Sequence, residues 1–135
     1  MKKNVFCGIL LVLAAVIAVG SFTVFGPCVH EDGSEAACTA AGRAILVDGC
    51  LITVLAILTF LLRTPSARII LFAASLCLAA VGILLPGTLF PVCRMDTMHC
   101  RAVMQPVAII LFAAAAAVSA GGILAERSRV RRGKA

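Results

Sequence analysis

The chain has 135 residues, 62% of them hydrophobic and 13% charged, with a mean hydropathy of +1.13. So much apolar side chain cannot be hidden in a soluble domain of this size. The net charge of +6 would raise nucleic acid as a partner for a soluble protein, but most of the excess flanks hydrophobic spans, where it sets topology, and no nucleic-acid partner is expected.

A membrane-spanning helix needs about 20 mostly apolar residues, and the chain supplies that length four times. The first span is expected over about 5–25, behind Lys2 and Lys3. Its end, Ala18-Val19-Gly20-Ser21, also resembles the cleavage site of a secretory signal. The run is longer than a signal core, which favours a retained anchor, and cleavage would leave the remaining orientation unchanged. Gly26 and Pro27 then open a loop holding Cys28, His30, Glu31, Asp32, Glu35, Cys38 and Arg43. The second span, about 44–62, carries Asp48, the one carboxylate inside a span, expected about one to two turns in and near the outer interface. Thr64-Pro65-Ser66, flanked by Arg63 and Arg68, links it to the third span over about 69–89, which Pro86-Gly87 and Pro91 close. A second loop brings Cys93, Arg94, Met95, Asp96, Met98, His99, Cys100 and Arg101, and the fourth span follows over about 102–125. The basic tail 126–135 ends the chain. The expected fold class is therefore an all-α membrane protein, a four-transmembrane-helix bundle in one domain. Trp and Tyr are absent, leaving Phe22, Phe25, Phe60 and Phe90 as partial substitutes for an interfacial aromatic belt.

Nine of the twelve Lys and Arg residues lie before the first span, in the link between the second and third, or after the fourth. Positive charge in short segments is retained in the cytoplasm, so both termini are expected inside and the two cysteine loops outside, in a bacterial cell membrane. The tail reads as an orientation signal, with contact to anionic membrane lipids as the alternative.

The two outer loops share a layout. Phe25-Gly-Pro-Cys28, then Cys38 and Arg43, stands against Phe90-Pro-Val-Cys93, then Cys100 and Arg101, which suggests two helical hairpins in parallel repeat. Close helix contact in lipid favours small residues; candidates are Ala14 with Ala18, Ala73 with Ala80, and the run Ala113 to Ala117 continuing through Ser119, Ala120, Gly121 and Gly122.

Seven cysteines divide by depth. Cys7, Cys50 and Cys77 fall within spans and read as small buried hydrophobes. Cys28, Cys38, Cys93 and Cys100 fall outside the cytoplasm, where an even number is most economically read as two disulfides. Pairing within each loop, Cys28 with Cys38 and Cys93 with Cys100, keeps the repeat symmetric and stabilises each loop by about 2 to 3 kcal/mol; a loop-to-loop bridge is the alternative. Two sharper readings compete. The layout is similar to that of bacterial membrane disulfide-generating proteins, which implies thiol-disulfide oxidoreductase chemistry with a quinone, although that family uses a close Cys-x-x-Cys pair and these spacings are wider. Alternatively His30, Met95, Met98 and His99 beside the cysteines form a soft ligand set for copper or zinc, the methionines favouring copper(I).

Asp48 inside a span needs a partner. A polar clamp with Arg43, Arg101 or Arg94, aided by Gln105, is the bland account; a proton or cation relay is the sharper one. No nucleotide-binding, dinucleotide or hydrolytic constellation is present. Hydrolytic activity is not expected, and the simplest reading has no cofactor.

The segment Leu-Leu-Pro-Gly-Thr-Leu-Phe-Pro-Val-Cys93, the Met-His-Cys-Arg101 that follows, the Pro-Cys28 ending the first span and the Arg-bounded inner turn resemble an uncharacterised family of small four-helix bacterial membrane proteins, classed as a domain of unknown function. The resemblance covers roughly residues 5–125. Members tend to be encoded near ABC-type transporters, which implies an accessory or partner role beside transporter subunits, and no catalytic residue is carried over.

Overall fold

The computed structural model describes residues 4–23, 37–89 and 100–134. Four helices run through them: α1 (Val5–Thr23), α2 (Ala37–Leu61), α3 (Pro65–Leu84) and α4 (Gln105–Lys134), with one π-helical turn, Cys100–Met104, leading into α4. Each is long and apolar enough to cross a membrane. The 19 residues of α1 span about 28 Å, the thickness of a bilayer's hydrocarbon core. The chain is an all-α, multi-pass membrane protein.

Each helix packs on its neighbours in the chain, and α1 closes the ring against α4. Contacts fix the directions. Ile17 of α1 meets Gly49 of α2, Phe6 of α1 meets Gly121 of α4, and Phe72 and Phe112 meet Gly122 and Gly82 across α3 and α4. The bundle runs up, down, up, down.

The inward stripe of every helix advances by threes and fours: Cys7, Leu10, Ala14, Ile17 and Ser21 in α1; Ile45, Asp48, Ile52, Ala56 and Thr59 in α2; Arg68, Phe72, Ser75, Ala79 and Gly82 in α3; Ala108, Phe112, Ala115, Ser119, Gly122 and Glu126 in α4. That spacing is the seam of left-handed, near-antiparallel helix packing. Hydropathy does not mark it, because the opposite faces are just as apolar, with Val12, Phe22, Ile70, Ile110 and Leu124 all exposed. Small and polar residues mark it instead. In lipid the helices gain nothing from burying hydrocarbon against each other and gain by close fit.

The fit is reciprocal between α3 and α4. Phe72 lies over Gly122, where an added Cβ would come within 2.7 Å of its ring, and Phe112 lies over Gly82 just as closely. Ten residues separate aromatic from glycine on both helices, so one antiparallel register satisfies both contacts. The same register sets Ser75 level with Ser119 and Ala79 level with Ala115. Of the small-residue candidates, Ala14, Ala115, Ser119 and Gly122 are buried, while Ala80, Ala113 and Ala117 are exposed. The α3 contact is made by Ala79 and Gly82 instead.

Helix ends differ from expectation for local reasons. α2 starts at Ala37, seven residues before 44, because 37–43 is rich in helix-favouring alanine. α3 starts at Pro65, a residue preorganised for the first helical position, and so takes in Arg68. It stops at Leu84 rather than 89, since Pro86 cannot extend the ladder and Gly87 adopts φ +97°, open to glycine alone. The π-helical turn precedes Pro106, whose ring and missing N–H would conflict with the carbonyl four residues back. α4 continues helical through the tail to Lys134.

Candidate functional site

Two charged residues of the inward stripes, Arg68 and Glu126, meet at one end of the bundle, hereafter the basic end. Arg68, in the first turn of α3, places a guanidinium nitrogen 3.2 Å from Glu126 Oε1 on α4, and both side chains are over nine-tenths buried. Arg68 Nε also donates to the Leu62 carbonyl at 2.8 Å, tying the pair to the C-terminal end of α2. Arg129, one turn further along α4, reaches the other carboxylate oxygen at 3.6 Å. One carboxylate thus holds two guanidiniums and joins three structural elements. Both side chains are buried, and a buried charge is costly without a partner, which is why neither member stands alone.

Beyond Glu126, α4 continues to Lys134, about 12 Å further, and so outruns the start of α3. The overhang leaves a cavity of about 790 Å³ lined by Asn4, Phe60, Arg63, Arg68, Glu126 and Arg129. A second cavity of about 320 Å³ shares Glu126 and Arg129 and is floored by Phe6, Phe72, Gly122 and Ala125. The pairing of Arg68 with Glu126 was missed in the sequence, where Arg68 read as topology and Glu126 as tail. Their signal was position: each continues the stripe of small and aromatic residues on its helix.

Asp48 lies at the twelfth of the 25 residues of α2, so it sits near the middle of that helix rather than one or two turns from its start. It is buried, and its Oδ2 accepts no hydrogen bond among the described residues. Arg43 and Asp48 line one shallow groove of about 370 Å³ with Val81 of α3 and Leu85 just past its end. Gln105 is placed elsewhere, its amide nitrogen against Gly87, 2.8 Å from where a Cβ would stand. Arg101 is exposed at the start of the turn leading to α4. Ser75 and Ser119, facing by register, are also buried with hydroxyls that have no partner among the described residues. Ser21 and Thr59 instead donate to carbonyls four residues back, both at 2.7 Å.

Cys28, Cys93, His30, Arg94, Met95, Met98 and His99 lie outside the described residues, as do the side chains of Cys38 and Cys100. Cys7, Cys50 and Cys77 are free thiols; Cys7 is buried in the bundle, whereas Cys50 and Cys77 face outward. Among the described residues no three His, Cys, Asp or Glu side chains gather in a metal-holding group.

A family model described as a domain of unknown function (DUF4418) matches residues 10–125. No curated protein and no solved structure matches the chain.

Proposed function

The chain belongs to the family of this domain of unknown function, DUF4418, and we propose that it serves as a partner subunit in the membrane, acting through its flank and ends. The filled interior of the bundle carries this reading. Phe72, Phe112, Leu10, Ile17 and Ile52 occupy the space between the helices with almost no exposure, and the two phenylalanines are seated in glycine notches. A substrate chamber or a passage would need that same space. Interaction is left to the outward faces, which are apolar along all four helices, and to the charged end.

The partner class is an ABC-type transporter, by the family resemblance noted in the sequence. In this reading the protein sits in a bacterial cell membrane with its basic end in the cytoplasm, as the distribution of Lys and Arg directs. Two outer loops are clipped by bridges Cys28–Cys38 and Cys93–Cys100, an arrangement supported by their even number and repeated layout.

Purification of the tagged chain from its native membrane in a mild detergent tests the proposal. Transporter subunits should co-elute in fixed proportion and survive a second column. Repeated elution of the chain alone overturns the partner role.

A further inference from the structure

We propose that the basic end binds one anionic phospholipid, its phosphate held among Arg63, Arg68 and Arg129 and its acyl region lying toward the cleft floored by Phe6 and Phe72. The cavity volume of about 790 Å³ is within the range of small-molecule sites, roughly 300–1,000 Å³. Three guanidiniums face one carboxylate there, and that carboxylate is already engaged at 3.2 and 3.6 Å. The remaining positive charge favours an anion there.

The arginines are not a loose surface cluster. Arg68 is more than nine-tenths buried and is held in place by Leu62 and Glu126. A guanidinium carries five N–H donors, so these bonds leave donors without a partner among the described residues on a side chain that lines the cavity. Planar guanidinium groups suit phosphate oxygens, which they contact in pairs. Arg63 makes no ion pair among the described residues, and Asn4 adds an amide. The N-terminus of α3 also belongs to this cavity through Pro65, and its Thr64 cap makes no side-chain bond to the first turn; the positive end of the helix dipole thus favours a negative ligand.

The neighbouring cleft decides between a lipid and a free phosphate. It shares Glu126 and Arg129 with the basic cavity and also carries Ser128 and Arg132, and to these it adds the apolar surface of Phe6, Phe72, Gly122 and Ala125. Charge above and hydrocarbon below is the division an amphiphile has, and the site lies where a membrane-spanning bundle meets headgroups.

Native mass spectrometry of the full chain in a neutral detergent tests this, with phosphatidylglycerol, phosphatidylcholine or inorganic phosphate added separately. One phosphatidylglycerol should be retained per chain, with no comparable retention of phosphatidylcholine. The variant Arg63→Gln/Arg129→Gln should weaken retention by about tenfold or more, whereas the charge-matched Arg127→Gln/Arg131→Gln, which changes two exposed residues outside the cavity, should not. Arg63→Gln alone, which leaves the Glu126 pairs intact, should also weaken retention, separating loss of lipid from loss of fold. Equal weakening by both double variants overturns the site, since it would show only general charge attraction. Retention of inorganic phosphate with the same variant pattern, or equal retention of phosphatidylcholine, overturns the lipid assignment.

Discussion

Arg68 and Glu126 show why charge in a membrane bundle must be judged by place rather than by count. Each is buried, and each relies on the other to avoid standing as a bare charge in a poorly polar surround. Glu126→Gln or Arg68→Leu alone should therefore destabilise the bundle by about 3 to 5 kcal/mol, whereas Arg68→Leu with Glu126→Leu should cost less than either single change. Thermal unfolding in detergent measures all three variants, and additive losses would refute the coupling. The sequence displayed both residues without displaying the pair. Arg68 served the positive-inside count and Glu126 was one acid in a basic tail, so bulk charge hid a specific contact. Asp48 was the reverse case, conspicuous in sequence and buried as expected of a span residue; its depth differed only because α2 begins earlier.

Between elements, the α3–α4 seam depends on two aromatic rings and two glycines in one register. Any side chain at Gly82 or Gly122 must displace a phenylalanine, and Gly82→Leu should cost about 1 to 3 kcal/mol through overpacking. Exchanging the partners, Gly82→Phe with Phe112→Gly, should recover much of that loss, as judged by the same unfolding assay; no recovery would show that the notch is not the cause. The four helices were legible from length and composition alone, because bilayer thickness demands them. Which face turns inward was not legible from hydropathy, since lipid makes every face apolar. The helix starts at Ala37 and Pro65 were displaced because alanine favours helix beyond the edge of a hydrophobic run and proline is preorganised for a first helical position.

For the whole molecule, the repeat seen in the loops has a counterpart in the core. A shift of 65 residues carries Phe25 and Cys28 onto Phe90 and Cys93, and the same shift carries Cys7, Leu10, Ala14 and Ile17 onto Phe72, Ser75, Ala79 and Gly82, the buried stripe of α3. Two hairpins of like construction would place all four loop cysteines on one side. A membrane-impermeant maleimide applied to intact cells should then label Cys28, Cys38, Cys93 and Cys100 only after strong reduction; labelling without reduction would contradict the bridges. The proposed partner role has the filled bundle acting through its surface, and photo-crosslinking in intact membranes tests that most directly. Crosslinkers placed singly at the exposed positions Val12, Phe22, Ile70, Ile110 and Leu124 should capture one transporter subunit from neighbouring positions and lipid from the rest. Capture of lipid alone at every position would contradict the role of a partner subunit.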